Sequence, residues 1–285
     1  MRPVTEQLIL CADDFALSPP VSAAIASLAA DGRINATSCM AMMPGWIDEA
    51  RLLRDLDEQT AIGLHIVLTD LPSLGGASAL APCGTLPPLG QLARHSLLGT
   101  LPREAIRAEV EAQFDRFGEG LGRMPDFVDG HQHCLHLPAI RDIVLDITAR
   151  RAPRAWLRDC SDRISGMATR PFAWKALRSA AWSAGFRAAA GKRGLSVNDG
   201  FAGHYDFRRP YSALFERFLA RPGRRHLVMC HPGGGMLAGD TIAEARIAER
   251  EALAGLPVRA LAEAAGLSFD SRFDPNRLSP GRAEG

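Results

Sequence analysis

The feature that most constrains the fold is a rhythm repeated along the chain: a short apolar run, a polar residue at its end, then a helical stretch. Leu8 to Ala12 is apolar throughout and ends in Asp13-Asp14-Phe15, and the alanine-rich stretch 21–30 behind Pro19-Pro20 reads as a helix. Runs that are apolar at every position belong to strands buried on both faces. Residues 36–43 and 61–68 repeat the pattern, ending at Pro44-Gly45 and Thr69-Asp70, and 226–230 runs into His231-Pro232-Gly233. Segments 155–158 and 195–199 read as further strands, and 46–56, 103–117, 172–190, 211–220 and 242–253 as helices. This alternation predicts an α/β fold with a parallel sheet or barrel. Residues 71–101, rich in Pro, Gly and Leu, break the rhythm. A loop of that length is either a wall of a binding cleft or an insertion without a role. With no internal repeat and no linker, a single domain over 1–285 is expected, with a frayed tail from about residue 272.

Chemistry is densest in Asp126-Phe127-Val128-Asp129-Gly130-His131-Gln132-His133-Cys134-Leu135-His136-Leu137-Pro138, which holds three of the chain's eight histidines. In an extended chain Asp129, His131 and His133 share one face. Imidazoles are common ligands of borderline metals, and a nearby carboxylate fixes the tautomer of a ligating histidine. Four strand ends carry ionisable groups: Asp13 with Asp14, His65, His131 with His133, and His231. In parallel α/β folds the C-terminal strand ends gather at one face, so residues distant in sequence meet there. One carboxylate and two imidazoles with positions left for water is the plan of a hydrolytic metal site. Each element alone has a plain alternative: Asp-Asp as a helix cap, His65 as a core histidine, His231-Pro232-Gly233 as a turn.

Composition sets the limits. A net charge of +1 gives no reason to expect nucleic acid, and no apolar run is long enough to span a bilayer. The six cysteines form no Cys-x-x-Cys pair and no signal peptide is evident, so reduced thiols and a cytoplasmic location are expected. The arginines of 150–193 read either as a solvated helix face or as an attraction for an anionic part of a substrate.

Four segments, Ala12-Asp13-Asp14-Phe15, Gly63-Leu64-His65-Ile66-Val67-Leu68-Thr69, Asp129 to Pro138, and Cys230-His231-Pro232-Gly233, occur in that order. Together they resemble the YdjC family of carbohydrate deacetylases, which includes chitooligosaccharide deacetylases and hopanoid-biosynthesis-associated proteins. Asn198-Asp199-Gly200-Phe201 also resembles a family element, and the likeness runs from about residue 7 to 235. The resemblance implies an irregular (β/α) barrel of about seven parallel strands and one divalent metal ion, zinc or magnesium. It also implies Asp14, His65 and His131 as ligands, Asp13 as base and His231 as acid. Asp129, His133, His136, Asn198 and Asp199 are expected to contact substrate or to support the ligands. One departure is Ala16, where the family usually has Gly; a negative φ there would make the change harmless.

The implied reaction is hydrolysis of an acetamide on a small N-acetylated carbohydrate, the expected partner; a homo-oligomer is left open. Two alternatives stand beside it: a metal-dependent phosphoesterase using the same strand-end ligands, and a sugar- or metal-binding protein without activity.

Overall fold

The computed structural model describes residues 6–56, 58–270 and 272, so the tail expected from about residue 272 lies almost wholly outside the described residues. Among the described residues, eight strands form one parallel sheet: β1 (Glu6–Phe15), β2 (Ala36–Cys39), β3 (Ala61–Ile66), β4 (Phe127–Gly130), β5 (Trp156–Leu157), β6 (Gly200–Ala202), β7 (Arg225–Cys230) and β8 (Leu267–Ser268). Seven of them run in the order β5-β4-β3-β2-β1-β7-β6, and β8 adds to the start of β1. The sheet curls into an open barrel whose edges meet where Leu157 bridges Val197 and its N–H donates to the Ser196 carbonyl at 2.9 Å. Asn198 staples this seam: its Oδ1 accepts the Asp159 N–H at 2.7 Å, and its amide donates to the carbonyls of Asp159 and Gly200 at 2.8 and 3.0 Å.

The all-apolar strands are explained by two buried layers. Ile9, Cys11, Ala36, Ala61, Phe127, Trp156, Phe201, Leu227 and Met229 pack together inside the curl. The alternate residues Leu8, Leu10, Ala12, Ile62, Leu64 and Val128 face the surrounding helices. Inside, the Phe127 and Trp156 rings stack with centroids 4.4 Å apart. A Cβ on Gly63 would stand 2.4 Å from the Phe127 ring, so glycine is required there by space.

Three expectations are corrected. The helix read over 172–190 is two helices, Ala173–Trp182 and Phe186–Gly191, broken at Gly185 with φ 77°. The strand read over 195–199 begins later, at Gly200, because 196–198 are taken up by the seam. The loop 71–101 contains a helix, Leu89–Leu97, and buries Leu80, Ala81, Leu86 and Leu92. Glu109 holds its start, accepting from Ser73 Oγ at 2.6 Å and the Leu74 N–H at 3.1 Å. No described helix is long and apolar enough to cross a membrane.

Candidate active site

The end of β1 is irregular where the two aspartates lie. Pairing with β2 shifts between Ala12↔Thr37 and Phe15↔Cys39, so Asp13 and Asp14 on β1 oppose the single Ser38 on β2. In a regular strand Asp13 and Asp14 point to opposite faces. The bulge, with Asp14 at φ 68° and Ala16 at φ 72°, turns both carboxylates inward. Ala16 does not take the negative φ that would have made the change harmless; it holds the left-handed conformation that favours glycine. Its N–H donates to Ser22 Oγ at 2.8 Å, which helps fix the turn.

A second irregularity sets His131. The extended strand expected to align Asp129, His131 and His133 stops at Gly130 and gives way to a tight 3₁₀ segment, His131–His136, with Gln132 and His133 at φ 51° and 59°. Asp129 and His131 nevertheless both reach the site, one from the strand and one from the turn. The turn is tied to the long loop by Gln132 Nε2, which donates to Asp70 Oδ2 at 3.0 Å.

Asp14, His65 and His131 converge, with one potential ligand atom from each lying within 4.8 Å of the others. Asp14 Oδ1 stands 3.4 Å from His65 Nε2 and 3.3 Å from His131 Nδ1. Asp14 Oδ1 is buried and has no hydrogen-bond partner. A buried carboxylate oxygen left unpaired between two imidazole nitrogens fits a divalent cation of borderline character. The His131 side chain is 25% exposed, which opens the cluster to solvent on one side.

The surrounding groups orient this trio. His65 Nδ1 lies 2.7 Å from Asp129 Oδ1 and 3.0 Å from Ser38 Oγ, and the Ser38 hydroxyl donates to the same carboxylate oxygen. That leaves Nε2 facing Asp14, the carboxylate–histidine arrangement seen behind metal-ligating imidazoles. Burial alone would lower the His65 pKa; the Asp129 carboxylate outweighs it and raises the value to about 10. A cation therefore has to displace a firmly held proton. For Asp14, burial pushes the pKa up, but Arg246 and the two imidazoles hold it well below the usual carboxylate range. Arg246 Nη2 donates to Asp14 Oδ2 at 2.7 Å.

Asp13 faces the neighbouring Arg158, whose fork donates to both its oxygens at 2.6 Å. Arg158 also contacts Asp129 Oδ2 at 2.5 Å and Cys11 Sγ at 3.1 Å. Cys11, Asp13 and Asp129 thus also cluster closely, but a buried guanidinium already fills that position. His231 Nε2 lies 4.0 Å from Asp13 Oδ2. Burial, only partly offset by Asp14 and Asp13, brings the His231 pKa down to about 4, so the ring is neutral near pH 7.

The remaining predicted residues scatter. His133 is beside Cys160 Sγ at 3.4 Å and packs edge-on against Phe201 and His204, at centroid distances of 5.7 and 5.3 Å. Burial, then His204, holds it neutral. His136 is buried against Phe186 at 4.5 Å with Nδ1 3.2 Å from Ser183 Oγ. Asn198 is fully buried with its amide committed to the seam, which leaves it no group for substrate. Asp199 accepts the Arg225 N–H at 2.7 Å, at the opposite end of β7 from His231.

Sequence reading missed Arg158, Arg246, Ser38 and Glu249. Arg158 had a signal: it follows the apolar pair Trp156-Leu157 in the same strand-end position as Asp13 and His65. Arg246 and Glu249 had none, since charges three apart on a helix read as a solvated face. Several of the other basic residues of 150–193 are paired structurally: Arg150 and Arg151 with Glu111, Arg170 with Asp162, and Arg193 with Asp146.

Comparison with known proteins identifies the family. The sequence profile of the YdjC-like protein family matches residues 7–264. This chain belongs to the YdjC-like family. A chitooligosaccharide deacetylase of Enterobacter sp. (strain 638) is 34% identical over 148 residues, 50% of this chain and 56% of the relative. One of Proteus mirabilis (strain HI4320) is 32% identical over 146 residues, 51% and 56% of the two chains. The YdjC-like chain thus spans about half the length of the curated relatives it matches. A crystal structure from Enterococcus faecalis V583, provisionally named a cellobiose-phosphate cleavage protein, superposes with a TM-score of 0.74 at 19% identity. It covers 97% of this chain and 100% of its own, and shows the shared fold.

Proposed function

We propose that this YdjC-like chain is a metal-dependent carbohydrate deacetylase that hydrolyses the acetamide of an N-acetylated sugar. The observation that carries the reading is the partnerless Asp14 Oδ1 facing His65 and His131, with Asp13 and His231 alongside. The names of the curated relatives support the same chemistry. Asp14, His65 and His131 would hold the ion, which supplies Lewis acidity toward a water and toward the acetamide carbonyl. Zinc suits the donor set, and magnesium suits it with waters completing the shell.

The chain's own groups then have distinct tasks. Asp13 accepts a proton from the attacking water as the carbon–oxygen bond forms. Arg158 fixes both Asp13 oxygens, so the carboxylate cannot swing away. His231 protonates the sugar nitrogen as the carbon–nitrogen bond breaks, giving acetate and a free amine. Being neutral at rest, it must gain that proton during turnover, and Asp13, 4.0 Å away, is placed to supply it. Asp129 and Ser38 hold His65 in register. The cysteines, all free, support a reducing compartment such as the cytoplasm.

The test is a screen for acetate release over N-acetylated mono- and oligosaccharides, run beside phosphate release from generic esters. Acetate release from at least one N-acetylated sugar is expected. Phosphate release without acetate release would replace this reading with a phosphoesterase.

A further inference from the structure

Outside the reacting groups, one buried carboxylate has an unusual set of partners. Glu249, on the helix Ala243–Gly255, is fully buried. Its Oε2 accepts the backbone N–H of His231 at 2.5 Å, and its Oε1 accepts the hydroxyl of Tyr205 at 2.5 Å. Tyr205, also buried, packs on Phe207 with centroids 4.7 Å apart, and Phe207 packs edge-on against the His231 ring at 5.5 Å. Phe207 holds this place from a left-handed backbone position, φ 59°. One carboxylate thereby grips His231 twice, at its main chain directly and at its ring through Tyr205 and Phe207.

The same helix grips the other half of the site one turn earlier. Arg246 reaches Asp14 Oδ2 at 2.7 Å and is itself anchored by Asp240 at 2.7 Å. A single helix therefore sets both the carboxylate of the candidate metal cluster and the candidate acid. Burying a carboxylate here is costly compared with an apolar side chain of similar volume. Its two acceptor oxygens are spent on fixing His231 and the segment that covers its ring.

We infer that Glu249 is a positioning residue for His231, acting with Tyr205 and Phe207 to aim the imidazole at Asp13 and the leaving nitrogen. The catalytic consequence rests on the deacetylase reading above; the geometric one does not. A misaimed ring weakens proton delivery, so the loss grows with the basicity of the leaving group. Binding of substrate by other groups is left in place, so the effect falls on kcat more than on KM.

Two conservative variants test this, Glu249→Gln and Tyr205→Phe, each checked for retained folding by circular dichroism and thermal melting. On an N-acetylated sugar, kcat is expected to fall about tenfold or more with KM within about threefold. The fall on an acetyl ester whose alcohol leaves as a phenolate is expected to be several-fold smaller. In parallel, NMR of 15N-histidine-labelled protein, with the His231 signal assigned through His231→Gln, reads the ring directly. Both variants are expected to shift the His231 tautomer balance or its titration midpoint. An unmoved His231 signal overturns the inference, as do equal losses on amide and ester. If the wild type releases no acetate from any sugar, the deacetylase reading fails alone, and the His231 signal still decides the role of Glu249.

Discussion

At the scale of single residues, two aspartates neighbour each other yet take different partners. Asp13 is held by Arg158, and Asp14 offers a free oxygen to two imidazoles. Asp13→Asn is expected to keep bound metal while lowering turnover by about 10²–10⁴, the usual scale for losing a general base. Loss of metal with an unchanged rate per bound ion would mean that the roles of Asp13 and Asp14 are exchanged. Ala16 makes a separate prediction, because its φ of 72° strains an L-residue. Ala16→Gly should raise unfolding free energy by about 1 kcal/mol in urea denaturation, since the backbone strain relieved exceeds the added chain entropy. The aspartates and His65 were legible in the sequence because ionisable groups recur at the ends of separate apolar strands, each ambiguous when taken alone. Arg158 was legible only in hindsight. The aim of each carboxylate was not, since it depends on the bulge and on positive φ values that the strand period does not encode.

At the scale of elements, strand existence was readable and strand ends were not. β4 stops at Gly130 where alternation predicted two more turns of the pleat, because Gln132 and His133 enter the left-handed region and carry the chain into the helix Pro138–Arg151. The seam residues 196–198 look like a strand by composition but make a side-chain clamp instead. The helix read over 242–253 carries two buried charges, Arg246 and Glu249, which are set by what it packs against. Gly63 makes this dependence testable. Gly63→Ala would drive a methyl into the Phe127 ring at a distance of 2.4 Å, on the strand that carries Asp129 two residues later. Since the stacked Trp156 blocks retreat, destabilisation of about 1–3 kcal/mol is expected by chemical denaturation. A neutral result would show that the inner layer is looser than the packing implies.

At the scale of the whole molecule, the barrel keeps several histidines neutral, and stability must follow pH accordingly. Burial brings His136 and His204 to about 3 and His226 to about 4. A histidine whose folded pKa lies below its unfolded value stabilises fully above about 6.5 and loses that stability as pH falls toward the folded value. Glu249, pushed up to about 7 by burial, works the other way, gaining stability as pH falls from 7 toward its unfolded value. The His136 share is isolated by difference: His136→Gln should flatten the acid-side loss by about 1.4 kcal/mol per pH unit between pH 4 and 6. Parallel stability curves for wild type and variant would mean that His136 titrates normally in the fold.

The central claim is that Asp14, His65 and His131 hold the ion on which acetate release depends. The direct measurement is to strip the protein with a chelator, then add back zinc, magnesium or manganese while following metal per chain and acetate released from an N-acetylated sugar. The account predicts that activity falls to background on stripping and returns in step with one bound ion per chain, and that His65→Ala and His131→Ala bind far less metal and do not recover. Full acetate release from metal-free protein, or stoichiometric high-affinity binding in both histidine variants, would contradict it.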